Sequence, residues 1–231
     1  MDTRKLALVT CIVRHYIQSA EPVGSLVLVQ KYNLGYSSAT VRNELALLED
    51  TGYMYQPHAS SGRIPTDRAY ELYVESVKPG KVQSRQLQKI QSAWQVSTSH
   101  IFDRLKVLAK ALASQTEELV FFSLRDGASF CTGFSYLCEK PEFEDKRFAA
   151  VISHAVDRID ELAATLFERA TDEPQVLIGR KNIFSDSGST IFIKFDVDDY
   201  EGVFGIVGPM RMQYEKNISL LSKTKHIIEN S

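Results

Sequence analysis

The sequence predicts an α+β protein in three parts: an N-terminal winged helix-turn-helix domain over residues 1–78, a helical linker over 79–116 and a C-terminal α+β domain over 117–231. Three observations lead there. The first third of the chain shows three helical segments, then two short strand-like segments around a small-residue loop, which is the winged-helix order. Lys78-Pro79-Gly80-Lys81 is the clearest linker in the chain. Beyond residue 116, strands joined to helices suggest an α+β domain of the sensor type.

At the N-terminus, Leu6, Val9, Val13, Tyr16 and Ile17 recur with the helical period, so MDTRKLALVTCIVRHYIQ is an amphipathic helix ending near Ser19. Its apolar stretch is interrupted by Arg14 and His15 and lacks a small-x-small cleavage site, which argues against a signal peptide. Glu21-Pro22-Val23-Gly24 is a turn, and Ser25 is a candidate N-cap for a short helix over 26–31 that Asn33-Leu34-Gly35 breaks. Ser37 or Ser38 caps a third helix running to about Asp50, with Gly52 at its C′ position. Tyr53-Met54-Tyr55-Gln56 alternates as a strand, residues 57–62 form a loop, and Arg63-Ile64-Pro65 is a short return strand. Thr66 is expected to cap a helix from Asp67 to about Val77.

After the linker, Leu87, Ile90, Trp94, Ile101, Leu105, Leu108 and Leu112 keep helical spacing, giving one long helix or two end-to-end helices to about Thr116. Residues 119–124 and 130–134 read as a hairpin around Arg125-Asp126-Gly127. A helix is expected over 148–170, strands over 176–178, 190–195 and 203–207, and a closing helix over 214–228.

Hydrophobic residues at 44% and charged residues at 24% are the balance of a soluble globular protein. No apolar run approaches the roughly 20 residues that span a bilayer. The three cysteines (Cys11, Cys131 and Cys138) are scattered, as reduced structural thiols would be, so no membrane partner and a cytoplasmic location are expected. The five histidines show no metal-ligand spacing, and neither CxxC nor HExxH occurs. Gly202, Gly205 and Gly208 do not form the dinucleotide fingerprint, and Glu142, Glu144 and Asp145 read as a solvated loop. The sequence therefore predicts no enzyme, no cofactor and no metal. With a net charge of -2 the chain is no polycation, so attraction to nucleic acid must come from local patches and dimeric display.

The third helix carries the most chemistry. On a helical wheel Val41, Leu45 and Leu48 share one face, which must be core. Ala39, Arg42, Asn43 and Ala46 share the opposite face, a short-side-chain surface able to approach a DNA major groove closely. There Arg bonds bidentately to guanine, Asn to adenine, and Ala touches a thymine methyl. The hydroxyls of Ser37, Ser38 and Thr40, with the free N–H groups of the first turn, suit phosphate oxygens. Arg63, near a loop tip of small residues, is placed to reach a minor groove or its phosphates. Residues 1–78 hold eight basic and eight acidic side chains. One such module would bind DNA weakly, and a dimer on a two-part site is expected.

YSSATVRNELALLEDTGYMYQPHASSGRIPTDRAYELYVE, residues 36–75, closely resembles the N-terminal signature of the bacterial heat-inducible transcription repressor HrcA family. Tyr16-Ile17, Glu21-Pro22-Val23-Gly24-Ser25, Gly133-Phe134-Ser135 with Pro141-Glu142-Phe143, Ile178-Gly179 and Gly208-Pro209-Met210-Arg211-Met212 with Tyr214 extend the resemblance over nearly the whole chain. The resemblance implies a winged-helix domain and a GAF-like domain. It implies a homodimer repressing chaperone operons at an inverted-repeat operator on double-stranded DNA, kept active by the chaperonin GroEL. By that analogy Ser37, Ser38, Thr40, Arg42, Asn43 and Arg63 are the DNA contacts. The chain departs from the family pattern in three respects. The inserted dimerising segment of the GAF-like domain is missing between 124 and 130, which shifts dimerisation to other surfaces such as the 83–116 helix. Leu26 and Glu71 stand where lysine and arginine are usual, and Arg180-Lys181 replaces a usually acidic position.

Two other readings compete. A ligand-sensing regulator would use Phe130, Phe134, Tyr136 and Phe204 to line a pocket, where the alternative is that they are core. A degenerate member that has lost DNA binding would act only as an interaction protein, against which stand the retained Arg42, Asn43 and Arg63.

Overall fold

The computed structural model describes residues 3–32, 35–98 and 100–230, with the side chain of Thr3 left out. The chain folds as two compact units, Met1–Val77 and Lys78–Ser231.

The first unit contains α1 (Thr3–Ser19), α2 (Ser25–Tyr32), α3 (Ser38–Asp50), a two-stranded ribbon of β1 (Met54–Tyr55) and β2 (Ile64–Pro65), and α4 (Asp67–Ser76). Its core is built from the residues that share one face of each helix: Val9, Ile12 and Val13 on α1, Leu28 on α2, Val41, Leu45 and Leu48 on α3, and Ala69, Tyr70 and Tyr73 on α4. The expected break at Asn33 and Leu34 lies outside the described residues.

Both ends of α3 follow from local chemistry. Ser37 is the N-cap, with extended backbone, and its Oγ accepts from the Thr40 N–H at 3.1 Å. At the far end Thr51 is the C-cap, and Gly52 takes the left-handed conformation at φ 76°, which a side chain would strain. Tyr53 N–H donates to the Leu48 carbonyl and Gly52 N–H to the Glu49 carbonyl, both at 2.9 Å, which closes a Schellman motif. Thr66 precedes α4 without capping it through its side chain. Its hydroxyl donates instead to the Gly52 carbonyl at 2.8 Å, so it ties the start of α4 to the end of α3.

The second unit contains α5 (Ser84–Trp94), α6 (Ile101–Thr116), β3 (Leu119–Leu124), β4 (Ser129–Thr132), α7 (Phe134–Cys138), α8 (Lys146–Asp157), α9 (Ile159–Phe167), β5 (Gln175–Ile178), β6 (Gly188–Val197), β7 (Tyr200–Pro209) and α10 (Tyr214–Glu229). The five strands form one antiparallel sheet in the order β4-β3-β7-β6-β5. Alternate side chains serve opposite faces. Leu119, Phe121, Phe192 and Val203 meet Phe148 and Ile152 of α8 and Ala163 and Leu166 of α9. On the other face Phe122 meets Phe102 of α6, with ring centroids 5.2 Å apart. A Cβ on Gly205 would lie 2.3 Å from the Phe121 ring, so glycine lets that ring lie across the neighbouring strand.

Several segments differ from the sequence reading. In place of one long helix or two end-to-end helices, α5 and α6 pack side by side, with the Arg104 guanidinium 3.9 Å from the centre of the Trp94 ring. The helix expected over 148–170 breaks between α8 and α9 at Arg158, whose backbone leaves the helical region. Phe134 leaves the strand because Gly133, at φ 89°, turns the chain into α7. Phe204 is core, and its ring packs on Phe122 and Phe195. Phe130 packs on Phe122 and Phe134 on Phe143, and Tyr136 is half-buried. Of the three acidic residues expected in a solvated loop, Glu142 instead forms a two-point ion pair with Arg211, and Asp145 caps α8 by accepting from the Arg147 N–H at 2.8 Å.

Glu118 is buried at 2% exposure. Lys140 Nζ donates to one of its oxygens at 2.6 Å, and the other oxygen has no partner among the described residues. Burial pushes its pKa up to about 7, against the opposing pull of Lys140.

Two outcomes are expected. Ser37→Ala should lower the stability of the first unit by about 1 kcal/mol, read as a shift in its urea midpoint. For Glu118, the folded chain holds its proton to higher pH than the unfolded chain, whose carboxyl titrates near 4.5. Folding therefore weakens as pH rises from about 4.5 through about 7. Urea titrations at pH 5 and pH 8 should show Glu118→Gln gaining on wild type by on the order of 2 kcal/mol at the higher pH.

Candidate nucleic-acid interface

With Val41, Leu45 and Leu48 buried, the rotation of α3 is fixed and its opposite side faces outward. Ala39, Arg42 and Asn43 are exposed, and Ala46 is half-buried. Arg42 and Asn43 make no hydrogen bond, ion pair or ring contact among the described residues. The three predicted hydroxyl residues are already engaged locally. Ser37 caps the helix and shares a hydrogen bond with the Thr40 hydroxyl at 2.9 Å, while the Ser38 hydroxyl meets that of Ser25 at 3.1 Å and joins the starts of α3 and α2. Hydroxyls so held are oriented, and each keeps capacity for a further bond.

Arg63 is placed differently from the sequence reading. It does not project from the loop tip, and its side chain is 14% exposed. Its Nε donates to Glu49 Oε2 of α3 at 3.0 Å. Its backbone N–H and carbonyl both pair with Val23, which adds a bridge from the α1–α2 connection to the ribbon. The ribbon loop is braced from within. Gln56 Nε2 donates to the carbonyls of Ala59 and Ser61, and the Ser61 hydroxyl bonds to the His58 backbone in both directions.

Between the start of α2, the outward face of α3 and this loop lies a concavity of about 530 Å³. Gly24, Ser25, Leu26, Arg42 and the loop from Ala59 to Arg63 line it. It brings Arg42 and Arg63 to one surface, but not Ser37, Ser38, Thr40 or Asn43, which lie outside it. Leu26, 61% exposed, gives its rim an apolar point.

Sequence reasoning missed two arginine–carboxylate contacts on α3. Arg4 of α1 lies 4.4 Å from the centre of the Tyr36 ring, and its Nη2 is 2.7 Å from Glu44 Oε1. Together with Arg63–Glu49, this pair neutralises two of the three carboxylates of α3. No local pattern announces either contact, because each joins segments far apart in the chain. Among the described residues no cluster of His, Cys, Asp and Glu could hold a metal ion, and no helix is long and apolar enough to cross a membrane.

Residues 79–218 match the model of the HrcA protein C-terminal domain. A heat-inducible transcription repressor HrcA of Clostridium botulinum is 53% identical over 77 residues, which is 33% of this chain and 22% of that protein. The repressor of the same name from Clostridium perfringens is 42% identical over 120 residues, 52% of this chain and 35% of that protein. The matches thus span about a fifth to a third of the relatives' length. A crystal structure of a hypothetical protein at 2.2 Å resolution shares the fold, with a TM-score of 0.77 at 17% identity over 99% of this chain and 98% of that one. The domain match covers well over half of the chain, so the chain belongs to the HrcA family.

Proposed function

We propose that this chain is a heat-inducible transcriptional repressor whose first unit is a winged helix-turn-helix. In this reading α3 enters a DNA major groove and the ribbon is the wing. The observation that carries it is the outward face of α3, where Arg42 and Asn43 stand exposed and without partners among the described residues while the opposite face is buried. An exposed Arg and Asn on short-side-chain surroundings match the donor and acceptor edges of guanine and adenine. Ser37, Ser38 and Thr40 sit at the N-terminal end of the same helix, where oriented hydroxyls and free N–H groups take phosphate oxygens. The relatives' shared name, heat-inducible transcription repressor, supports the same reading.

The balance of eight basic and eight acidic residues in the first 78 makes a single module a weak binder. A homodimer on an inverted-repeat operator solves this by doubling the phosphate contacts. The second unit then serves as a GAF-like regulatory domain that holds the dimer, with GroEL as the partner that keeps it active.

Fluorescence anisotropy with a labelled inverted-repeat duplex from upstream of a chaperone operon, against a scrambled duplex at two salt concentrations, tests this. Tight, salt-sensitive and sequence-selective binding is expected, and equal weak binding to both duplexes would sink the reading. Arg42→Ala should cost about 1–3 kcal/mol and relax preference at one base pair. Wild-type affinity and selectivity in that variant would remove Arg42 from the reading surface.

A further inference from the structure

Resting on the DNA-binding reading, we propose that Arg63 is a positioning residue. Through Glu49 it latches the ribbon loop to α3 and so sets the width of the concavity that receives the duplex.

Four observations converge on it. The Arg63 side chain is mostly buried, and its Nε points back to Glu49 at 3.0 Å. A guanidinium held this way has its charge offset by Glu49, and the burial of its side chain limits the reach of its remaining N–H groups to a phosphate. The Arg63 backbone is fixed on its other side by two hydrogen bonds with Val23, at 2.9 and 3.0 Å. Next to it, a Cβ on Gly62 would lie 2.5 Å from the Pro22 carbonyl, so the ribbon is pressed against the α1–α2 connection. The loop that follows from this anchor, braced by Gln56 and Ser61, is one wall of the concavity, and Arg42 of α3 is on another. Glu49 and Arg42 belong to the same helix, so the ion pair connects the two walls directly. Loop and helix then act on a duplex as one rigid surface, which is what shape and groove-width recognition requires.

The latch and a purely electrostatic role predict opposite signs for one variant. Glu49→Ala removes a negative charge from the proposed DNA side, so charge alone predicts tighter binding to every duplex. The latch predicts loss of selectivity by about ten-fold, the change that follows from losing a charge-assisted hydrogen bond, with no loss of scrambled-duplex binding. Glu49 is 35% exposed and lies off the buried face of α3, so the variant keeps the core intact.

The experiment measures anisotropy of the same labelled inverted-repeat and scrambled duplexes with wild type, Glu49→Ala, Arg63→Glu and the exchanged pair Glu49→Arg/Arg63→Glu. Amide exchange at His58–Gly62 is followed in parallel. The expected result is lost selectivity in both single variants, recovery in the exchanged pair, and faster amide exchange in Glu49→Ala. Wild-type selectivity or tighter specific binding in Glu49→Ala overturns the latch, as does unchanged amide exchange. An exchanged pair no better than Arg63→Glu alone also overturns it, since Arg63 would then be touching DNA itself. Absence of selectivity in wild type defeats the DNA-binding reading and the positioning role with it. Selective wild type with an equally selective Glu49→Ala defeats the positioning role alone.

Discussion

Burial of Val41, Leu45 and Leu48 is the constraint from which the first unit follows. Three apolar side chains at helical spacing leave α3 a single rotation about its axis, since any other would expose them at about 1.5–3 kcal/mol apiece. Once that rotation is set, the opposite face is forced outward whatever its composition. Arg42 and Asn43 are exposed because their neighbours are not. The function proposed for this face is a use made of a surface that the core had already determined.

The same helix shows how charge is managed within the first unit. Its own balance is acidic: Arg42 against Glu44, Glu49 and Asp50. Arg4 from α1 and Arg63 from the ribbon each take one of those carboxylates. Both arginines therefore compensate the helix and attach it to a neighbouring element at once, which makes local neutrality and rigid placement the result of the same contacts.

Legibility from sequence divides along a physical line. Signals carried by a residue and its near neighbours were readable: the Ser37 cap, the Gly52 stop, the helical period that sorts the α3 faces, and the turn at Arg125-Asp126-Gly127. Arrangements that exist only once remote segments meet were not. Arg63 reads as a basic residue near a loop tip of small residues, placed to reach a minor groove or its phosphates, and only the closed fold supplies Glu49 and Val23 as its partners. The side-by-side packing of α5 and α6 and the pairing of Phe121 beside Gly205 are equally non-local. The family was legible from the residues that carry the resemblance, and residues 79–218 match the HrcA C-terminal domain.

Gly208 and Glu118 are locked to one another. A Cβ at 208 would fall 2.3 Å from the Glu118 carboxylate, inside a space closed by the sheet and by Lys140. A change of side-chain size at either position therefore bears on the other. Enlarging residue 208 demands a shorter side chain at 118, and shortening residue 118 opens a hole that a methyl at 208 would fill. Across lineages descended from this fold, substitutions at these two sites should arrive in pairs, with Lys140 losing its counter-charge and changing third.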